Sequence, residues 1–482
     1  MSSGESASLE RSREGGAGSL PSALLLVVAV LLVPGLLAYG LATTEELKVM
    51  AVVVAVLGAL LVLARPFWGL AFFVALLFFR PEELLPALQG THLSLAVALL
   101  TLVATWFQFF LKREKPVHTP LNMMILGFGT IAVLSTLGVG TTAEAAQDIG
   151  KLVSLVFLIL YIVRTRSLYR SFVTAIILFS VYLACYSIYR YFTGGVLEYE
   201  GGGVRTLATG IFGDPNDLAG TIVAVLALVL ARVSTSRGFM RGVYSLLAGL
   251  MVWAIFLTNS RGGMLALLLV CFGFFMVFVR QKWVGLVLAL VIGSLLLVAG
   301  PSRMRTFDRT EESANERFWY WDTALWQLRD RPLTGVGYRQ FPDYNGGKTA
   351  HNSFVLCFAE LGLPGYFFWM GCIYYCFRRR PRGDLPQGEG VDEEDDEEAR
   401  RDLLGARLAL AGFLAAGFWI SRTYVAPLYL LLSLPIAAQL AASGGREVFP
   451  FKFQERVKDW GWIGLICLGS ILFIFVLVQM CK

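Results

Sequence analysis

Apolar stretches of membrane length recur along almost the whole chain, separated by short polar loops. Each runs to about 17–25 residues, which is enough for a helix to cross the hydrocarbon core of a bilayer. Only helices and closed barrels satisfy their own backbone in that solvent. The runs are continuous rather than alternating, which excludes a barrel. An all-α polytopic membrane protein is the expected fold class. Candidate spans fall at roughly 21–42, 47–64, 67–79, 91–111, 120–138, 147–163, 169–192, 216–233, 242–259, 262–280, 283–300, 352–377, 403–421, 425–441 and 461–479. The third is short enough to be tilted or re-entrant, so about 13–15 transmembrane helices are expected.

Composition agrees. Of 482 residues, 56% are hydrophobic and only 16% charged, where a soluble protein carries about a quarter charged. The net charge of +6 is no nucleic-acid signal. The basic residues sit in short loops: Lys112, Arg113 and Lys115; Arg164, Arg166 and Arg170; Arg232, Arg237 and Arg241; Arg280 and Lys282; Arg378 to Arg380; Lys452, Arg456 and Lys458. With these spans all six loops fall on one side, which the positive-inside rule makes cytoplasmic. The intervening short loops are neutral or acidic at Thr43 to Glu46, Glu82-Glu83, Glu144 to Asp148 and Glu198 to Glu200. One missed helix would invert every later loop, so the agreement supports the span assignment. The seven cysteines lie almost entirely in apolar runs and contain no CxxC pair, so neither a disulfide framework nor a thiol metal site is implied.

The organisation follows. Residues 1–20 form a polar tail of disordered composition. The next run lacks a small-residue cleavage site and is expected to stay as the first span of an N-terminal bundle, 21–199. A core covers 200–377 and includes the largest outer loop, 301–350. Residues 378–402 form an acidic cytoplasmic linker, expected to be solvated and disordered. Residues 403–482 supply the C-terminal helices. Within the large loop, Phe318-Trp319, Trp321, Leu325-Trp326 and Leu328 have the spacing of an amphipathic helix at the headgroup level.

Four outer-face residues could carry chemistry: Arg205, Arg261, Arg317 and His351. Arg261 lies in a turn of about four residues between two apolar runs, where an arginine usually has an anionic partner. Converging guanidinium groups bind a pyrophosphate well. The alternatives for Arg261 are snorkelling to lipid phosphates or capping a helix C-terminus, and for Arg317 a local salt bridge. His351, one of three histidines, opens a span. The positive end of a helix dipole disfavours imidazolium, and a neutral ring can take a proton from a hydroxyl. Its alternative is a cap or a satisfied interfacial histidine. Asn352 and Ser353 could equally cap that helix. Glu360, lower in the same span, suits a structural role in holding a neighbouring helix or Arg422. Asp214 or Asn216, around Pro215, could cap the helix that follows them. The outer-face acids are too scattered to argue for a metal site.

Taken in order, these pieces resemble a known family. They are Arg205, then Gly213-Asp-Pro-Asn216, Thr-Asn-Ser-Arg261-Gly-Gly and Glu316-Arg317 with Trp321. Next come Pro332-Leu-Thr-Gly-Val-Gly-Tyr338 with Phe341, His351-Asn-Ser-Phe and Ala-Glu360-Leu-Gly-Leu-Pro-Gly365. The pattern, over roughly 200–370, resembles the bacterial O-antigen ligase superfamily, which includes O-antigen polymerases and protein O-oligosaccharyltransferases. The resemblance implies a multi-pass protein of the bacterial inner membrane with a type-C glycosyltransferase-like fold. Its active site would be periplasmic, and it would transfer glycan without metal or other cofactor and with inversion. The donor would be an undecaprenyl-pyrophosphate-linked glycan. The acceptor would be a hydroxyl of a growing glycan, of lipid A-core or of a protein. Carried over by position, His351 would be the base. Arg261 and Arg317 would bind pyrophosphate, helped by Arg205, with Asn352, Asn216 and Glu360 in support. Extra N-terminal spans, a last span and the acidic linker depart from the family pattern. The rival readings are a lipid-linked oligosaccharide flippase, whose charges would line a cavity through the bilayer, and a non-enzymatic scaffold.

Overall fold

The structure is a computed structural model, and it describes residues 45–79, 81, 92–113, 117–199, 203–208, 212–299, 312–378, 393–445 and 453–481. The expected tail at 1–20 and span at 21–42 lie outside these residues. Fifteen α-helices are described. The first six are α1 (Glu45–Ala64), α2 (Pro66–Phe79), α3 (Leu93–Lys112), α4 (Pro120–Leu134), α5 (Thr142–Ile162) and α6 (Arg166–Phe192). A two-stranded antiparallel hairpin follows, β1 (Leu197–Tyr199) with β2 (Gly203–Arg205). Then come α7 (Pro215–Thr235), α8 (Gly238–Leu257), α9 (Arg261–Phe278), α10 (Lys282–Ala299) and α11 (Glu312–Asp330). The chain continues through α12 (Ser353–Phe377), α13 (Glu393–Gly417), α14 (Ala426–Ala442) and α15 (Phe453–Met480).

The protein is an all-α polytopic membrane protein: eight described helices, the broken α12 among them, are by length and composition long and apolar enough to cross a bilayer. Helix α3 turns Val103, Phe107 and Phe110 outward, and α8 exposes Phe239, Leu246 and Trp253. Such apolar surface is a liability in water and ordinary against lipid. Helix α7 is the opposite case. It is buried along nearly its whole length, packed by α6, α8, α9 and α13, as an all-round apolar helix must be. Asp214 is its N-cap, accepting from Asn216 N–H at 2.7 Å, and Pro215 opens the first turn. The residues after that cap, Asn216 and Asp217, therefore stand at one end of the bundle's central helix.

Helix α12 corrects the expected single crossing at 352–377. It breaks at Gly362, with φ 64° and ψ −169°, a conformation essentially reserved to glycine. Phe354 packs on Trp369 at 5.2 Å and Phe358 on Tyr366 at 5.7 Å. Both pairs are nearly symmetric about Gly362, so the two limbs fold back on each other. The first limb, Ser353 to Leu361, is about 13 Å long at 1.5 Å per residue, too short to cross a bilayer. The Pro332–Tyr338 segment docks on the break. Val336 N–H donates to Ala359 O, Gly337 N–H to Glu360 O and Leu363 N–H to Pro332 O, at 2.8–2.9 Å. A Cβ on Gly335 would lie 2.3 Å from the Glu360 backbone, and one on Gly362 would lie 2.7 Å from Pro332 O. The two glycine motifs are halves of one backbone joint.

The acidic run also differs from expectation. From Glu393 it is helical, forming the first turns of α13 rather than a disordered linker. Acids suit a helix N-terminus, and arginines at the ends of α6 and α7 face them. Arg166 pairs with Asp396 at 3.6 Å, Arg170 with Glu398, and Arg232 with Asp402 at 3.2 Å.

Candidate functional site

His351 sits just before the first limb of α12. Asn352 is the N-cap: its side chain accepts from Phe354 N–H at 2.9 Å and Val355 N–H at 3.1 Å. The residue before the cap turns sharply, and His351 takes φ 50°. Left-handed backbone at a non-glycine residue costs on the order of 1–3 kcal/mol and persists only where the surroundings enforce it. The enforcement is visible on both sides. Upstream, Trp321 of α11 donates its indole N–H to Ala350 O at 2.8 Å. Downstream, Ser353 is clasped by the irregular segment between α13 and α14. Its hydroxyl donates to Ile420 O at 2.7 Å and accepts from Arg422 N–H at 2.9 Å, and Thr423 donates to Ser353 O at 2.8 Å.

The imidazole is half-buried. Burial and the Arg317 guanidinium hold its pKa below the ordinary histidine value. Asp214 pulls the other way, and Lys348 and Arg422 add to the depression. Arg317, in the second turn of α11, is thus within electrostatic reach of His351. The helix expected in the outer loop is present as α11, and its apolar face, with Trp321, Ala324 and Leu328, packs on α12 and α15.

Arg261 is the first residue of α9. It stands at the N-terminus of that helix. The helix dipole and the guanidinium there add to one positive potential, suited to an anion. Asn259, two residues earlier, is also left-handed, with φ 51°. Ser260 is the N-cap, accepting from Gly263 N–H at 3.1 Å and donating to Asn216 Oδ1 at 2.7 Å. Arg205 donates from Nε to Thr258 O at 3.0 Å and from Nη2 to the same Asn216 Oδ1 at 2.8 Å. Two of its donors therefore hold the turn that presents Arg261.

Glu360 is buried, with Oε1 accepting from Phe341 N–H at 3.1 Å and the Tyr424 hydroxyl beside its carboxyl. It does not pair with Arg422, as the sequence allowed. Arg422 instead makes a two-pronged pair with Asp217, from Nε and Nη2 to the two carboxylate oxygens. That pair forms one wall of an open cavity of about 230 Å³, lined also by Phe212, Thr221, Phe413, Val425 and Pro427. Asp217, Ser260 and Arg422 were missed as site residues. Arg422 carried the same signal as Arg261, a lone arginine in a short loop between apolar runs, but its partner lies 205 positions away. Among the described residues, no group of three or more His, Cys, Asp or Glu side chains could hold a metal ion.

Two clusters thus occupy one end of the bundle. Arg205, Asn216 and Ser260 present Arg261, while His351 faces Arg317, Lys348, Asp214 and Arg422. The adjacent residues Asn216 and Asp217 touch one cluster each. Among protein-family models, one described as O-antigen ligase matches residues 246–370. That stretch contains Arg261, Arg317, His351, Glu360 and the glycine joint. No curated protein matches the chain.

Proposed function

The chain carries a domain of the O-antigen ligase superfamily, and from that premise we propose a periplasmic-face glycosyltransferase of the bacterial inner membrane. Its donor is a glycan carried on undecaprenyl pyrophosphate, and its acceptor is a hydroxyl. His351 takes the acceptor proton as that oxygen attacks the anomeric carbon. The bond from that carbon to the pyrophosphate oxygen breaks, and the electron pair leaves with the lipid pyrophosphate. One displacement inverts the anomeric centre. Arg261 and Arg317 neutralise the departing diphosphate. Arg205 holds the Arg261 turn, a narrower role than direct contact with the phosphates. With a stabilised leaving group, positioning, charge and one base suffice, so no metal is assigned a step.

The observation that carries this reading is His351 itself: half-buried, in enforced left-handed backbone, with burial and the nearby Arg317 both lowering its pKa. A neutral imidazole beside an anion-binding guanidinium is what general-base transfer from a diphosphate donor requires. The test is mass spectrometry of lipid-linked glycan in a strain lacking the protein. Accumulated undecaprenyl-pyrophosphate glycan is expected, as full chains for a ligase and as single repeat units for a polymerase. An unchanged lipid-linked pool contradicts the proposal.

A further inference from the structure

Donor site and base come from different parts of the chain, yet transfer requires them in fixed register. Among the described residues, side chains on the first turn of α7 bridge them. Asn216 Oδ1 accepts from both Arg205 and Ser260, which precedes Arg261. Asp217 takes both prongs of Arg422. The Arg422 backbone N–H then donates to Ser353, two residues after His351. We propose that Asn216 and Asp217 are positioning residues that lock the Arg261 turn and the His351 segment into one frame.

The proposal rests on the functional reading above and adds a division of labour to it. Asn216 acts through Arg261, on donor binding. Asp217 acts through Arg422 and Ser353, on the base. An Asp–Arg fork fixes orientation as well as distance, which a single point contact does not. A shift of about 1 Å at a reacting group can cost roughly 10²-fold in rate, so a residue that never meets substrate can govern turnover.

The test uses full-length protein in proteoliposomes, with lipid-linked glycan extracted from membranes of the producing cells. Asn216→Ala is expected to raise the donor KM about tenfold with kcat largely kept, the pattern of lost binding. Asp217→Asn is expected to lower kcat roughly 10²-fold with KM kept. It also removes the carboxylate paired with Arg422, leaving Asp214 as the acid acting on that guanidinium near His351. The groups facing that imidazole are Arg317 from α11, Lys348 from its own loop, Asp214 from the α7 cap and Arg422. A freed positive charge disfavours imidazolium, so the acid limb of the pH–rate profile moves to lower pH. Arg422→Lys keeps the charge but loses the fork. It should lower kcat while leaving the limb in place, and it decides the matter if Asp217→Asn does not fold. A general loss of stability would move neither the limb nor the KM-to-kcat split. The proposal is overturned if both positions change kcat and KM in parallel, or if the limb stays put in Asp217→Asn. Failure of the functional reading looks different, because wild-type protein then shows no transfer, or His351→Ala keeps it.

Discussion

At the residue scale, the proposed chemistry rests on a histidine whose environment lowers its pKa. Burial, Arg317, Lys348 and Arg422 all depress its pKa. Its base form therefore persists to lower pH than that of an ordinary histidine, near 6.5. The acid limb of kcat/KM reports this group in the free enzyme, and it is expected below that value; a limb at or above it contradicts the assignment. Arg261→Ala is expected to weaken binding of undecaprenyl pyrophosphate about tenfold or more, measured on detergent-solubilised protein, in line with loss of a charge-assisted contact. Unchanged affinity would return Arg261 to lipid snorkelling. His351 and Arg261 were legible in the sequence because a charge at the edge of an apolar run needs a reason. Arg422 was equally conspicuous, yet its partner was not. Glu360 and Asp217 are both acids near the ends of apolar runs, and only folding decides which one the arginine meets.

At the element scale, the decisive feature is the break in α12. Its glycine and proline were plain in the sequence, but the run stays apolar through Gly362, so hydropathy continues where the helix does not. Fold-back leaves no mark in composition or period. It arises from a backbone conformation at one residue and from the Pro332–Tyr338 segment that packs on it. Gly362→Ala is expected to lower stability by roughly 1–3 kcal/mol from backbone strain alone, with the Pro332 O contact adding to it. Thermal unfolding in detergent reads this out, and a wild-type melting temperature would count against the joint. Trp321→Phe removes one buried donor, at a cost of about 1 kcal/mol. Its effect on kcat is expected to exceed its effect on melting, because Ala350 adjoins His351. The start of α13 shows the opposite failure of legibility. Consecutive acids have the composition of a disordered linker, and they are helical here because arginines from three distant positions face them.

At the scale of the whole molecule, the bundle was legible because a bilayer leaves a chain few options. Run length gave the helices, and the alternation of basic loops gave an expectation of their directions. That alternation is testable without activity. In a background with Cys185 and Cys481 replaced by serine, a cysteine at the exposed Lys348 position should react with a membrane-impermeant maleimide added to intact spheroplasts. One at the exposed Arg237 position should react only after permeabilisation. The reverse pattern would place the site on the cytoplasmic face. What the sequence could not supply was the way one end of the bundle is tied together. Those ties run between positions far apart in the chain and converge on the first turn of α7.

The proposed transfer depends above all on His351 as the base. The direct measurement is glycan transfer in proteoliposomes by wild-type protein, His351→Ala and His351→Asn. Asparagine tolerates left-handed backbone, so the second variant keeps the turn while removing the base. Both variants are expected to insert, to bind undecaprenyl pyrophosphate like wild type, and to lose transfer by roughly 10²–10⁴-fold, the usual contribution of a general base. Transfer at the wild-type rate by His351→Asn would contradict the account.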